Sequence, residues 1–296
     1  MLEALPRPLT LPPQISGRVP VRLVHVSDTH HHHGRVHLPL GEVLLHTGDF
    51  VGNYGHSDLR EHLADFLQWL HQVGSAFRLV VLVAGNHDTI LDAVGHPKDE
   101  IKDLFLRALP PNTVYLENSG LEYRGLRIWG SPTNVCRDET MGKRYMSNAF
   151  ERPMAERETI WSQVPDNLDV LLTHTPPMGI LCSEGVGCSA LAARLQELKP
   201  PPQFHLFGHD HDHFGVKATS ETIFVNGAQE EVLRLDRGAC GCAWVIDVVP
   251  RCPPDPYSEG TGTSCLASKT TPDASMGLTK QQLHADCTRP PTVAVK

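Results

Sequence analysis

The chain has no stretch near the roughly 20 consecutive apolar residues that a membrane-spanning helix needs, which argues against an integral membrane protein. Met1 to Pro20 hold five prolines and no continuous apolar run, so the pattern of a secretory leader is missing. Basic residues are in deficit: 26 Lys and Arg stand against 34 Asp and Glu, a net charge of −8. That balance excludes broad, charge-driven binding to nucleic acid or anionic lipid. It leaves room for a small anionic substrate, because bound metal ions reverse a local field. Paired CxxC spacings are absent too. The eight cysteines are scattered, and Cys240 and Cys242 are too close for an easy mutual bridge. The plain reading is reduced thiols in a cytoplasmic protein.

What is present is enough for a sizeable core. The 296 residues are 40% hydrophobic and 20% charged, which fits one large α/β unit or two domains. Residues 1–20 read as a Pro-rich lead-in and 21–249 as the folded body. Residues 250–296 read as a flexible tail: from 251 on, 20 of 46 residues are Gly, Pro, Ser or Thr. No internal repeat is visible. Within the body, Val21 to Val26, Glu42 to Thr47 and Arg78 to Val83 are apolar runs of strand length. Leu59, Leu63, Phe66, Leu67, Leu70 and Val73 recur at helical spacing behind Ser57-Asp58, an N-cap pair. A second helix is predicted from Pro97 to Ala108, a third over Glu151 to Trp161 and a fourth over Ala190 to Leu198. Short strands are predicted over 113–116, 121–123, 126–129, 168–172, 203–207, 214–217, 222–225 and 242–248. Early β-α alternation followed by consecutive strands suggests stacked sheets with helices outside.

Five strands end in the same kind of text. The endings are Asp28-Thr29-His30, Gly48-Asp49, Gly85-Asn86-His87-Asp88, Thr173-His174 and Gly208-His209-Asp210-His211. Ligands gather at strand C-termini in open α/β sheets, so the five loops can converge although 181 positions separate Asp28 from His209. Carboxylates, one amide and imidazoles together suit Mn²⁺, Fe or Zn²⁺ better than Ca²⁺. The donor set is large for one ion and about right for two sharing a carboxylate. The glycines before Asp49, Asn86 and His209 free the chain to turn sharply and aim a ligand. Each piece alone is weak. Gly85-Asn86-His87-Asp88 is the strongest, since four specified residues recur only about once in 10⁵ positions.

This ordered set resembles the calcineurin-like metallophosphoesterase superfamily over residues 21 to about 249. Ser27-Asp28-Thr29-His30, Thr47-Gly48-Asp49-Phe50 and Thr173-His174-Thr175-Pro176-Pro177 are most similar to its small metallophosphoesterase-domain branch, related to class III cyclic-nucleotide phosphodiesterases. The resemblance implies a four-layer α/β/β/α sandwich of two mixed sheets flanked by helices. It implies that Asp28, His30 and His211 hold one metal, that Asn86, His174 and His209 hold a second, and that Asp49 bridges them. It implies hydroxide attack on phosphorus, with His87 donating a proton to the leaving oxygen and Asp88 orienting His87. The metals implied are two ions among Mn, Fe and Zn, Mn foremost for reconstitution in vitro. The partner implied is a small phosphate ester, foremost a phosphodiester such as a cyclic nucleotide, with no stable nucleic-acid complex. A phosphomonoesterase or phosphoprotein phosphatase is the alternative enzyme, and a metal-stabilised, phosphate-binding scaffold without turnover is the alternative of another class. Two departures stand out. Thr173 replaces the glycine common before the fourth motif, and no Arg follows Gly48-Asp49 as in protein phosphatases.

Other residues invite attention. Asn53 is a candidate phosphate contact. His31, His32 and His33 read as an exposed loop. His213 reads as a partly exposed turn residue, although it shares a face with 209 and 211, and can meet substrate, if that segment is extended. His25, His46 and His205 read as satisfied core histidines. Arg124, Arg127, Arg137, Lys143 and Arg144 read as surface charge. The loop between Cys182 and Cys188 can shape specificity.

Overall fold

The structure is a computed structural model and describes residues 19–52, 59–92, 100–136, 149–230, 233, 240–251 and 292–294. Its first part runs β1 (Val21–Val26), β2 (Val36–His37), β3 (Val43–His46), α1 (Leu59–Val73), β4 (Leu79–Leu82), α2 (Glu100–Ala108) and β5 (Thr113–Tyr115). Next come β6 (Ser119–Tyr123), β7 (Leu126–Ser131), β8 (Asn134–Val135), β9 (Glu151–Arg152), α3 (Met154–Ser162) and β10 (Val170–Thr173). The chain continues through α4 (Ser189–Glu197), β11 (Phe204–Phe207), β12 (Gly215–Ala218), β13 (Ile223–Asn226), β14 (Gly241–Cys242), β15 (Trp244–Val248) and β16 (Thr292–Ala294).

Two six-stranded sheets result, in the orders β16-β15-β1-β3-β4-β5 and β12-β13-β11-β10-β7-β6. Their central strands are parallel, β1 with β3 and β4 in one sheet and β10 with β7, β11 and β13 in the other. Parallel strands buried on both faces read as unbroken apolar runs, and the period of two appears only in where each side chain goes. Val24, Val26, Leu44, Val80 and Leu82 pack beneath the helices, while Leu23, Val43, Leu45, Leu79 and Val81 pack against the opposite sheet. Val170, Leu172, Phe204 and Leu206 come from that second sheet to meet them. Outside the first sheet, Phe66 of α1 stacks on Phe50 with ring centroids 4.2 Å apart. Outside the second, Trp129 and Leu171 meet Trp161 of α3 and Leu191 of α4. The expected α/β/β/α layering is therefore the observed one.

Register levels the strand ends. Val26 pairs with His46 and His46 with Leu82, while Leu172 pairs with Leu206. The loops that follow each strand begin side by side, and backbone bonds knit them together. Asp28 N–H donates to Gly48 O at 2.9 Å, His30 N–H to Asp49 O at 2.9 Å and Gly208 N–H to His174 O at 3.1 Å.

The structure departs from expectation in two elements. The predicted helix over Glu151 to Trp161 is split: β9 pairs in parallel with β8, and the helix starts at Met154 behind Pro153. The cause is local, because a residue before proline is pushed to extended backbone and proline then opens a helix without an N–H to lose. In the segment read as a flexible tail, Thr292–Ala294 lies as a parallel edge strand on β15, Val245 opposite Thr292. The expected cap at Ser57-Asp58 and the start at Pro97 lie outside the described residues.

Candidate metal centre

The loop after β1 carries Asp28 and His30, and the loop after β3 carries Asp49. Backbone φ is 53° at Asp28, 40° at His30, 55° at Asp49 and 68° at His209, all in the left-handed region that side chains with a Cβ seldom adopt. Such conformations persist where neighbours over-determine them, and they concentrate at functional sites. The glycines allow close approach as much as turning. A Cβ at Gly208 would overlap Asp28 Oδ2 and Ser27 Oγ, and one at Gly85 would overlap Asp49 Oδ1.

Asp28, His30, Asp49 and His211 each offer an atom within 4.8 Å of the other three. His30 Nε2 lies 3.7 Å from Asp49 Oδ2, and His211 Nε2 lies 3.1 Å from Asp28 Oδ1. On the other side of Asp49, its Oδ2 lies 3.4 Å from His174 Nε2. Asn86 Oδ1 sits between His174 Nε2, at 2.9 Å, and His209 Nδ1, at 2.7 Å. Asp49 thus stands between two groups of donors. All seven predicted ligand residues are brought together, and Asp28, Asp49 and His174 are fully buried.

The donor set fits a cation. The His174 Nδ1–H donates to Thr47 O at 2.8 Å, and that carbonyl can only accept. The neutral ring therefore aims an Nε2 lone pair at two oxygens, of Asn86 and Asp49. Either a proton or a metal ion must stand there. Without a metal, the Asp49 carboxylate outweighs the lowering effect of burial and raises His174 to about 9. His211 is held likewise: against burial, its bonds to Asp28 and Glu230 raise it to about 11. His30 and His209 are driven the other way by burial, to about 4 and about 3. Asp49 is lowered well below its usual range: burial opposes this, but His174 and His87 prevail.

His87 lines a cleft of about 300 Å³ together with Asp49, Asn86, Asn134, Ser183 and Val186. Its ring centroid lies 4.9 Å from that of His30, and its backbone N–H donates to Asp49 Oδ1 at 2.7 Å. The Cys182 to Cys188 loop reaches this cleft through Ser183, Gly185 and Val186.

The expected partnership of Asp88 with His87 is corrected. The buried Asp88 carboxylate instead accepts three backbone N–H groups, from Asp49 at 2.9 Å, Val51 at 2.9 Å and Gly85 at 2.7 Å. It ties the second and third loops together. His213 is the partly exposed turn residue that the sequence suggests. The chain turns into a 3-10 helix at His211–His213, so the strand-like alternation stops, and His213 Nδ1 pairs with Asp210 at 3.0 Å. His31 and His33 gather on Asp65 outside the centre, and His33 is buried rather than exposed.

Sequence reasoning missed a buried layer behind the centre. His25, His46 and His205 are core residues as expected, but each shares a hydrogen bond with a threonine beside a candidate ligand: Thr47 at 2.9 Å, Thr29 at 3.1 Å and Thr173 at 2.8 Å. It also missed Glu230, 2.5 Å from His211 Nδ1. The signal was available, since Glu230 follows the end of β13, a further parallel strand in the second sheet. Arg124 pairs with Glu42 and Arg127 bonds the Asn167 carbonyl, so both serve the surface. Asn53, Arg137, Lys143 and Arg144 lie outside the described residues. Among the described cysteines, Cys182, Cys188 and Cys240 are free thiols. Among the described residues, no helix is long and apolar enough to cross a membrane.

Residues 21–213 match the family model described as calcineurin-like phosphoesterase. A UPF0046 protein of Caenorhabditis elegans is 33% identical over 226 residues, covering 73% of this chain and 72% of the relative. The Homo sapiens metallophosphoesterase domain-containing protein 1 is 30% identical over 250 residues, covering 77% of this chain and 70% of the relative. A crystal structure only 16% identical superimposes with a TM-score of 0.54 over 77% of this chain and 95% of its own, a likeness of fold. With the family model spanning most of the chain and ending two residues past His211, the last of the clustered histidines, the chain belongs to the calcineurin-like phosphoesterase family and is a metal-dependent phosphoester hydrolase.

Proposed function

We propose that this chain is a dinuclear phosphodiesterase acting on small phosphodiesters, with cyclic nucleotides as the model substrate class. One observation carries the reading: Asp49 stands between Asp28, His30 and His211 on one side and Asn86, His174 and His209 on the other. Two divalent cations held there supply charge neutralisation at phosphate and hydroxide near neutral pH. Mn²⁺, Fe and Zn²⁺ suit the mixed oxygen and nitrogen donors, with Mn²⁺ the first choice for reconstitution.

The chain's own residues do the rest. Asp28 and Asp49 stay ionised at neutral pH, because neighbouring imidazoles lower both carboxylates against the pull of burial. The Thr47 carbonyl holds the proton of His174 on Nδ1, which leaves Nε2 available as a donor. His87, on the wall of the cleft, gives a proton to the leaving oxygen as its bond to phosphorus breaks. No serine or cysteine nucleophile is required. Asp88 acts at one remove, by fixing Asp49 through its backbone.

The diester preference draws on the small cleft, a size suited to a small molecule, and on the lack of an arginine after Gly48-Asp49. The catalytic domain is taken as residues 21–249, and free thiols fit a cytoplasmic setting. The test compares bis-p-nitrophenyl phosphate with p-nitrophenyl phosphate on the Mn²⁺-reconstituted chain. The diester should be the better substrate by kcat/KM. A strong preference for the monoester overturns the substrate assignment and leaves a phosphomonoesterase.

A further inference from the structure

We propose that Glu230 is a positioning residue of the metal centre. It fixes the ring of His211 so that Nε2 alone is offered to the ion shared with Asp28 and His30. The proposal rests on the reading of His211 as a metal ligand. Glu230 Oε2 lies 2.5 Å from His211 Nδ1, on the far side of the ring from Asp28, whose Oδ1 lies 3.1 Å from Nε2. A carboxylate can only accept, so Nδ1 carries a proton towards Glu230, and with a metal bound Nε2, which faces Asp28, is the nitrogen left to ligate. A carboxylate behind a ligating imidazole also makes that imidazole a stronger donor.

The carboxylate is well placed for this work because its backbone is anchored. Gln229 N–H donates to Ser27 O at 3.0 Å, one residue before Asp28. Arg35, in the segment after the four-histidine run, donates to Leu233 O at 2.6 Å. Cys242 N–H donates to the Gln229 side chain at 3.0 Å. Glu230 itself is buried. Its segment therefore cannot swing away without breaking bonds to Ser27, the residue after β1, and to the 3-10 turn at His33–Arg35. The other half of the centre is built differently. There the ring of His174 rests on a neutral backbone carbonyl, and one donor is the uncharged Asn86. The two metal positions are thus electronically unequal, and Glu230 marks the one backed by an extra negative charge.

The test titrates the full-length, metal-stripped chain with Mn²⁺ against a chelating indicator. It compares the parent with Glu230→Ala, Glu230→Gln and His211→Ala. Glu230→Ala should weaken one of two ions by about 10–100-fold and leave the other unchanged. Glu230→Gln, whose amide oxygen still accepts from Nδ1–H, should recover much of that loss. Thermal melts of the metal-stripped proteins separate positioning from folding, and Glu230→Ala should melt close to the parent. If Glu230→Ala does not fold, Glu230→Asp carries the test. It keeps the charge but withdraws the acceptor by one methylene, so the same ion should weaken. The proposal is overturned if Glu230→Ala, or Glu230→Asp in its place, loads both ions like the parent, or if both ions weaken equally alongside a lower metal-free melting temperature. His211→Ala controls for the underlying reading. If it keeps two ions at parental affinity, His211 is no ligand, and that failure is distinct from one confined to Glu230.

Discussion

His87 and Asp49 touch through a backbone bond but differ in what their side chains are asked to do. His87 belongs to the cleft wall and Asp49 to both donor groups. His87→Ala should keep its metal content by elemental analysis and lose about 10²–10⁴ in turnover of the diester, the range of a general acid. Unchanged hydrolysis would remove His87 from the chemistry. Asp49→Asn should lower occupancy at both positions, and loss of a single ion would make Asp49 a terminal ligand. Protons give a third handle. In the metal-free chain His174 is raised to about 9 and His211 to about 11, so both are charged at pH 7. For His174, a raised folded value means a contribution to metal-free stability that is complete below about 6.5 and fades as pH rises through about 9. Metal ligation needs neutral rings, so loading at pH 7 should release protons. Calorimetric titrations in two buffers of different ionisation enthalpy would measure them, and a count of zero would contradict these protonation states.

Loops and strands explain why some of these roles were legible in the sequence and others were not. The strand-end clusters could be read because residue type and position along the chain were enough: Asp28, Asn86 and His209 each follow an apolar run. Asp88 could not be placed that way. A carboxylate inside Gly-Asn-His-Asp has a ring next door in sequence, but its partners depend on where three N–H groups point after two separate turns. Glu230 was missed because its strand ends in Asn226-Gly227, without a histidine to flag it. The split of the third helix was visible in principle, since Pro153 stands inside the run. The clamp predicts a phenotype that a catalytic partner would lack. Asp88→Ala leaves three buried N–H groups without their acceptor, at a cost of about 1–3 kcal/mol each. Denaturant unfolding of the metal-free protein should show several kcal/mol of destabilisation, whereas an Asp88 needed only to orient His87 would leave stability unchanged. In the helical layer, Phe66 is fully buried and stacks on Phe50. Phe66→Ala should cost about 3–5 kcal/mol in the same experiment, and a cost under 1 kcal/mol would show that the layer closes over the gap.

At the scale of the whole molecule, the two sheets meet through Leu23, Leu45, Val81, Leu172 and Leu206, all apolar. Polar contacts bridge the sheets at both rims: Tyr123 and Arg124 reach Glu42 at one, and at the other Asp28 and Asp49 follow strands of the first sheet where His174, His209 and His211 follow strands of the second. A cation held there fastens halves of the polypeptide that are far apart in sequence, much as a rivet joins two plates at a shared rim. Opening either sheet then requires release of the ion. Amide exchange in β1 and β3 should slow on loading in step with exchange in β10 and β11, although neither pair hydrogen-bonds to the other.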